Sequence, residues 1–278
     1  MAESGHWQHD IDPFIVHFWG EVGIRWYGMA YVAGIVCGYW LLKRWSQRDR
    51  LPVAGQQLQD FGLFAGLSMI AGGRLGYLVF YAFDKVLQDP LYALRLWEGG
   101  MSSHGGIIGF AVGIWWWARR HGRSFPVLGD AVCTVGTIGV FFGRLANFIN
   151  GELWGRPSTV PWAVIFPEAG MIPRHPSQLY AAVAEGLLPF LLLLTFHARH
   201  RRPGLTMAAF LTLYAVGRFV GEFFREPDNN RFLVGWLTKG QALTIPLALA
   251  AIAFAIYALR RPPLPELYLA PAAPSKPA

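Results

Sequence analysis

Seven long apolar segments constrain this chain more than any other feature of its sequence. A helix needs about 20 apolar residues to cross the hydrocarbon core of a bilayer. Candidate segments are Ile24–Leu42, Leu58–Tyr81, His104–Trp117, Val127–Asn150, Gln178–Phe196, Leu205–Phe224 and Ala242–Leu259. The third is short unless residues 118–120 complete it. Charged residues make up only 15% of the chain, against about 25% in ordinary soluble domains. The sequence therefore predicts an all-α integral membrane protein with seven transmembrane helices.

Basic residues cluster in alternate short loops, and these clusters predict the orientation of the chain. Lys43 and Arg44 follow the first segment, Arg120 follows the third, and Arg260 and Arg261 follow the seventh. Loops rich in lysine and arginine stay on the cytoplasmic side of a membrane. The amino terminus is therefore predicted to be periplasmic and the carboxyl terminus cytoplasmic.

Composition also predicts the domain organisation and limits the partners. We expect a seven-helix transmembrane domain over residues 1–261 and a disordered cytoplasmic tail, rich in proline and alanine, over residues 262–278. The formal net charge of +7 is largely explained by the cytoplasmic loops, so no nucleic-acid partner is expected. Cys37 and Cys133 lie inside apolar segments, which indicates small core residues rather than disulfide partners or metal ligands.

Polar and charged residues inside the apolar segments are the most informative positions. A charge within a membrane span costs at least ~2.5–3.5 kcal/mol, so its presence usually marks a functional position. With the predicted orientation these residues lie in the middle to outer part of the membrane, toward the periplasm. They are Tyr27, Arg74, His104, Arg144, Asn147, Glu185, Tyr214 and Arg218. Their shared depth predicts one outward-facing site.

Helical spacing gathers the arginines on two polar faces, because residues three or four apart lie on one side of a helix. The faces are Arg144, Asn147 and Gly151, and Tyr214, Arg218, Glu222 and Arg225. Guanidinium groups bind phosphate oxygens in a bidentate way, so the two faces predict an anion site. His104 begins the third segment beside flexible glycines, where a histidine can act as a general base near neutral pH.

Structural roles are the alternative for the arginines. Arg218 can form an ion pair with Glu222 one turn later, and Arg144 can pair with Glu152 or Glu185. Intramembrane charges usually pair with one another, so either arginine alone does not decide between an ion pair and an anion site.

Other polar residues also have structural alternatives. Arg74 can pack between helices through its neighbouring glycines, and Tyr27 can belong to the aromatic belt of a membrane protein. His175 lies in an outer loop and is a weaker candidate base than His104. His197 is predicted to be solvated in a cytoplasmic loop.

Two other classes of membrane protein share part of this pattern. A transporter of anionic lipids or organic anions would also use outward-facing arginines, although transport needs a pathway to both sides of the membrane. A receptor or retinal protein would fit the helix count, but Lys239 lies only at the edge of the seventh segment. The clustering toward one side favours an enzyme.

The segment Gly143–Gly155 resembles the signature of the bacterial prolipoprotein diacylglyceryl transferases. Further motifs similar to that family follow in the right order: Trp26–Gly28, Gly72–Tyr77, Gly99–Gly106, Arg174–Tyr180 and Gly217–Asp228. Two positions depart from the family pattern. Ser103 stands where an aromatic residue is common, and Ala181 stands where a glutamate is common.

The resemblance implies a defined reaction at the periplasmic side of the bacterial inner membrane. The diacylglyceryl group of phosphatidylglycerol is joined to the lipobox cysteine in the signal peptide of a preprolipoprotein, and glycerol phosphate is released. No metal or organic cofactor is expected. The predicted catalytic residues are His104, Arg144 and Arg218. The predicted substrate-binding residues are Tyr27, Arg74, Asn147, Asn150, Glu152, Gly155, Tyr214, Glu222 and Arg225, with Gly155 expected to form a tight turn.

Overall fold

The computed structural model describes residues 5–20, 22–48, 51–197, 199, 202–226, 232–234 and 237–264. Most of them are helical. The helices are α1 (Trp26–Gln47), α2 (Gln56–Tyr81), α3 (Phe83–Gln88), α4 (Ser103–Arg120), α5 (Phe125–Ile149), α6 (Ser177–Ala181), α7 (Leu188–His197), α8 (Leu205–Gly221), α9 (Lys239–Ala242) and α10 (Thr244–Leu259). A π-helical turn, Ala182–Leu187, joins α6 to α7. The predicted disordered tail lies, from residue 265 onward, outside the described residues.

Helices cover the apolar segments, with small differences at their ends. The first begins at Trp26 rather than Ile24 because Val22–Arg25 is a β-strand. The third extends to Arg120 and is 18 residues long. By length and composition, four helical stretches in the described part can cross a membrane: Gln56–Tyr81, Phe125–Ile149, Ser177–His197 and Gly240–Leu259. The fold is therefore that of a mostly helical membrane protein.

Short β-strands are an addition that the hydrophobic pattern did not predict. They are β1 (Trp7–Gln8), β2 (Phe14–Trp19), β3 (Val22–Arg25), β4 (Val164–Ile165), β5 (Pro173–Arg174), β6 (Phe232–Val234) and β7 (Leu237–Thr238). β2 and β3 form an antiparallel hairpin, as do β6 and β7. β4 pairs in parallel with β1 and antiparallel with β5.

The described chain divides into two compact units, whose boundaries fall inside α1 and α5. The first unit comprises the chain up to Leu42 and from Asp130 onward, and the second unit comprises Lys43–Gly129. In the second unit, α2 packs closely on α4 through glycines. A Cβ added to Gly72 would lie 2.5 Å from the carbonyl oxygen of Gly105, so a side chain there would push the helices apart.

Close glycine contacts also organise the first unit. A Cβ added to Gly186 in the π-helical turn would lie 2.6 Å from Cα of Phe141 in α5. A Cβ added to Gly217 in α8 would lie 2.7 Å from the carbonyl oxygen of Ala184. These contacts bring α5, the π-helical turn and α8 together, and each of the three carries a charged residue of the candidate site.

The start of α8 shows that the prediction for His197 was wrong. His197 is buried, and its Nδ1 lies 3.1 Å from Oγ1 of Thr206. Beside it, the fully buried carboxylate of Asp130 accepts hydrogen bonds from the backbone N–H groups of Gly204 and Met207, both at 2.8 Å. Asp130 thus caps a helix from a distant part of the chain, and His197 packs into that junction instead of facing water.

Candidate functional site

A small cleft in the first unit collects the polar residues of α5, α6, the π-helical turn and α8. Its lining includes Arg144, Asn147, Gln178, Glu185, Arg218 and Arg225. The cleft has a volume of about 10 Å³, which is room for about one water molecule. A larger polar ligand can enter only if side chains in the lining move.

Arg144 in α5 is held by a fully buried carboxylate. Its Nε and Nη2 both donate to Oε2 of Glu185, at 3.0 and 2.7 Å, and the Glu185 side chain has no solvent exposure. Tyr214 on α8 also interacts with this guanidinium. Of the two ion-pair partners that the sequence left open, the structure selects Glu185.

Glu185 is the main site residue that the sequence prediction missed. It was placed at the depth of the site and considered as a partner of Arg144, but it was given no catalytic or substrate-binding role. A carboxylate inside an apolar segment was the available signal, because such residues are rare in membrane spans. The π-helical turn was not predictable from the apolar pattern, although turns of this kind are frequent at functional sites.

Arg218 in α8 has a separate acidic partner. Its Nη2 lies 2.6 Å from Oε1 of Glu222, as the spacing of four residues allowed. The other oxygen of Glu222 accepts a hydrogen bond of 2.7 Å from the hydroxyl of Thr238. Gly240 packs directly on this carboxylate, since a Cβ there would lie 2.6 Å from Oε2 of Glu222. The segment around β7 therefore fixes Glu222, and Glu222 holds Arg218.

The chain after α5 forms a strained turn at the edge of the cleft. Gly151 has φ of 66°, and Leu153, with φ of 58°, is the non-glycine residue with positive φ in the described part of the chain. Such a conformation costs on the order of 1–3 kcal/mol and persists only when its surroundings hold it. Ser177 donates to the carbonyl oxygen of Leu153 at 3.0 Å, and Gln178 donates to that of Glu152 at 2.7 Å.

Asn147 completes this turn from α5. Its Nδ2 donates to Oε1 of Glu152 at 2.8 Å, and the backbone N–H of Glu152 returns to the carbonyl oxygen of Asn147 at 3.0 Å. Asn147 and Glu152 therefore fix each other. Ala181 also lines the cleft.

Gly155 has a different role from the one predicted. The expected tight turn lies at Gly151, whereas Gly155 forms an antiparallel β-bridge with Arg225. A Cβ on Gly155 would lie 2.7 Å from the carbonyl oxygen of Phe224, and its N–H donates to the carbonyl oxygen of His175 at 3.0 Å. Glycine is required here because two backbone segments approach from both sides.

Two further predicted residues of the first unit are not part of the cleft lining. The hydroxyl of Tyr27 in α1 lies 3.3 Å from that of Tyr31, and Tyr27 is within electrostatic range of Glu152 and Arg144. Asn150 has a buried Oδ1 without a hydrogen-bond partner in the described part of the chain.

His175, the weaker candidate base, belongs to an aromatic cluster near β5. Its Nδ1 lies 3.2 Å from the hydroxyl of Tyr180, which accepts a hydrogen bond of 2.6 Å from Nε1 of Trp162. Partial burial lowers the pKa of His175, because desolvation disfavours the charged imidazolium. Burial therefore favours the neutral form of the ring.

His104 and Arg74 belong to the second unit. His104 is exposed in the first turn of α4, and the side chain of Ser102 caps this helix by accepting from the N–H of Gly105 at 3.2 Å. Arg74 in α2 is buried, and its guanidinium donates to five backbone carbonyls, those of Tyr92, Ala93, Arg95, Gly99 and Gly100. All of its N–H groups are engaged, which favours the packing role of Arg74 over substrate binding.

Comparison with known proteins gives a consistent result. A family model described as prolipoprotein diacylglyceryl transferase matches residues 13–257. A protein of Idiomarina loihiensis is 43% identical over 95% of this chain and 99% of its own length. A protein of Nitrobacter hamburgensis is 44% identical over 91% and 90%, and one of Rhodopseudomonas palustris is 47% identical over 90% and 91%. Each of these relatives is named phosphatidylglycerol–prolipoprotein diacylglyceryl transferase.

Proposed function

This chain belongs to the prolipoprotein diacylglyceryl transferase family, and from that membership we propose that it transfers the diacylglyceryl group of phosphatidylglycerol to the lipobox cysteine of a preprolipoprotein. The thiol sulfur forms a bond to the glycerol carbon of the lipid as the bond from that carbon to the phosphate oxygen breaks. The thiol proton is released, and glycerol phosphate leaves. This is the first step of bacterial lipoprotein maturation.

The observation that carries the proposal is the presence of two guanidinium groups, Arg144 and Arg218, on the wall of one cleft. The phosphate of the lipid carries one negative charge, and this charge grows toward two as the carbon–oxygen bond breaks. Guanidinium donors stabilise that growth. Only the part of the attraction that strengthens in the transition state accelerates the reaction.

The carboxylate partners of the two arginines can be exchanged for the phosphate of the lipid. Arg144 and Arg218 each hold a carboxylate, Glu185 and Glu222, within hydrogen-bond distance. A phosphate offers the same bidentate geometry to a guanidinium as a carboxylate does. An entering phosphodiester can therefore replace the carboxylate on part of each guanidinium without leaving the buried cation unpaired.

The remaining roles follow from the chemistry of the reaction. His104 takes the proton of the cysteine thiol, because the thiolate is the nucleophile. Tyr27, Asn147, Asn150 and Tyr214 orient the head group through hydrogen bonds. Glu152 and Glu222 fix Asn147 and Arg218, to which they are bonded. Gly155 and Arg225 join the loops that border the cleft.

We place the chain in the inner membrane as a seven-helix protein, with its amino terminus in the periplasm and its carboxyl terminus in the cytoplasm. The alternating basic loops support this orientation, and the four helical stretches of spanning length support the multi-pass topology. The arginines then open toward the periplasm, where a secreted preprolipoprotein presents its cysteine.

Mass spectrometry of a lipobox peptide incubated with the purified protein and phosphatidylglycerol tests the proposal. A parallel peptide carries serine in place of cysteine. We expect a diacylglyceryl mass gain on the cysteine peptide alone, together with free glycerol phosphate. If the folded, lipid-bound protein yields neither product, the arginine cleft is a binding or transport site and the proposed activity is wrong.

A further inference from the structure

The cleft contains two buried oxygen acceptors that no described residue satisfies. They are Oε1 of Glu185 and Oε1 of Gln178, and both residues line the cleft. Their exposures are 0% and 2%. Because buried polar groups in folded proteins are nearly always hydrogen-bonded, each such atom requires an explanation.

The protein itself fixes the orientation of both acceptors. The other oxygen of Glu185 is occupied by Arg144. The amide nitrogen of Gln178 donates to the carbonyl oxygen of Glu152 at 2.7 Å, and only the nitrogen can donate, so the amide oxygen is the atom left over. Within the described part of the chain no group donates to either oxygen, and a molecule that enters the cleft can satisfy both.

The same cleft presents donors for an anion. Arg144 and Arg218 offer N–H groups that suit phosphate oxygens. Two cationic donors next to two unpaired acceptors match a molecule that carries a phosphodiester and hydroxyl groups together. The glycerol head group of phosphatidylglycerol has that pattern, with two hydroxyls that can each donate one hydrogen bond.

We propose that Glu185 and Gln178 form a hydroxyl-recognition subsite that selects the glycerol head group of the lipid. This inference rests on the proposed transferase function and assigns the specificity of the same cleft. A site built to bind a hydroxyl rejects an analogue that lacks it, because its own buried polar groups are then left unpaired. The arginines bind any phosphodiester lipid, and the two acceptors distinguish the alcohol attached to it.

The test compares phosphatidylglycerol with phosphatidylmethanol of the same acyl chains. Both lipids carry one phosphodiester charge, but phosphatidylmethanol has no hydroxyl. The measured quantity is the ratio of kcat/KM for the two lipids with the full-length protein and a lipobox peptide. We expect the wild-type protein to prefer phosphatidylglycerol by at least about tenfold.

Two variants locate the preference. In Glu185→Gln the amide oxygen can keep Arg144 while a neutral N–H₂ group replaces the free carboxylate oxygen. Gln178→Met removes the free acceptor at similar size, together with the hydrogen bond to the carbonyl oxygen of Glu152. We expect the lipid ratio to fall toward one in each variant. The matched control is Glu222→Gln, which loosens the other arginine but alters neither acceptor. It should lower turnover of both lipids in the same proportion and leave the ratio unchanged.

Three outcomes overturn the subsite. They are a wild-type ratio near one, a ratio that survives both substitutions, and a ratio that collapses equally in the control. The first of them means that water satisfies the two acceptors.

Transfer from phosphatidylglycerol with a ratio near one leaves the proposed function intact and removes only the subsite. If the wild-type protein transfers neither lipid, the function fails, and native mass spectrometry of the two bound lipids measures the same preference. If a variant does not fold, the test rests on the ratio of kcat/KM measured for the wild-type protein.

Discussion

Arg74 and Arg144 are both arginines inside apolar helices, but their guanidinium groups have different kinds of hydrogen-bond partner. Arg74 in the second unit donates to five backbone carbonyls. Arg144 in the first unit directs two donors to a single oxygen of Glu185 and lines a cleft. Backbone carbonyls cannot leave their places, whereas a carboxylate partner can be exchanged for another anion. A buried arginine is therefore informative about function only once its partners are known.

Arg218 follows the pattern of Arg144 rather than that of Arg74. Its partner is the carboxylate of Glu222, and both arginine side chains keep 18% of their surface exposed, while Arg74 is 4% exposed. The comparison predicts that substitutions at Arg144 and Arg218 affect activity and that substitutions at Arg74 affect stability. Five substitutions test how far this division holds.

The largest effect is expected from His104, which shares the second unit with Arg74 but is exposed rather than enclosed. Removal of a general base typically costs about 10²–10⁴-fold in rate. His104→Gln should lower kcat by that range and flatten the pH profile near neutrality, as measured by peptide lipidation across pH 5–9. Activity near the wild-type level with an unchanged profile would require another base and would leave the second unit without a chemical role.

Arg144→Lys and Arg218→Lys should come next. Lysine keeps the charge but loses the planar pair of donors, and loss of a transition-state donor costs about 10²–10³-fold in kcat. The thermal unfolding temperature in detergent should stay close to that of the wild type, because lysine still pairs with Glu185 or Glu222. Near-normal turnover in either variant would remove that arginine from the phosphate-binding role.

Arg74→Lys should show the reverse pattern. An ammonium has three donors and cannot serve five carbonyls, and each buried acceptor left unpaired costs about 1–3 kcal/mol. We expect a clear decrease in unfolding temperature, with kcat per folded molecule retained. A variant with wild-type stability and a raised KM for phosphatidylglycerol would restore Arg74 to the substrate-binding residues.

The smallest effect is expected at Thr238, which acts on Arg218 only through Glu222. Thr238→Val removes the hydrogen bond of 2.7 Å to Oε2 of Glu222, and a bond to a charged group contributes about 1.5–3 kcal/mol. Only a fraction of that free energy is expected to affect the activation barrier, because Thr238 acts through Glu222. We therefore expect kcat to fall about fivefold to tenfold. The control is Thr212→Val, whose hydroxyl bonds to its own helix at Ala208. Equal losses in the two variants would mean that Thr238 does not position the site.

The sequence predicted the long helices because their signal is local. An apolar run of spanning length is visible without any tertiary contact, and the Arg218–Glu222 pair follows from a spacing of four residues on one helix. The choice of Glu185 for Arg144 joins residues 41 positions apart. That pairing depends on the π-helical turn and on the glycine contacts of α5 and α8, which a pattern of apolar residues does not encode.

The errors have the same origin. β1 and β4 are separated by more than half the chain, and each has only two residues. Such short strands with distant partners gave no usable sequence signal. Gly155 was assigned to a turn because glycine often serves that purpose. In the structure a glycine is needed there because His175 and Phe224 approach closely. His197 was placed in water because the neighbouring loop is basic, and its bond to Thr206 is visible only once α7 and α8 are packed.

A structure of the protein with phosphatidylglycerol bound tests the central claim most directly. The account predicts the lipid phosphate within hydrogen-bond distance of Arg144 or Arg218, with the ion pair to Glu185 or Glu222 partly exchanged, while Arg74 keeps all five carbonyls. A phosphate bound elsewhere, with both ion pairs intact, would contradict it and leave the two arginines as structural residues of the same kind as Arg74.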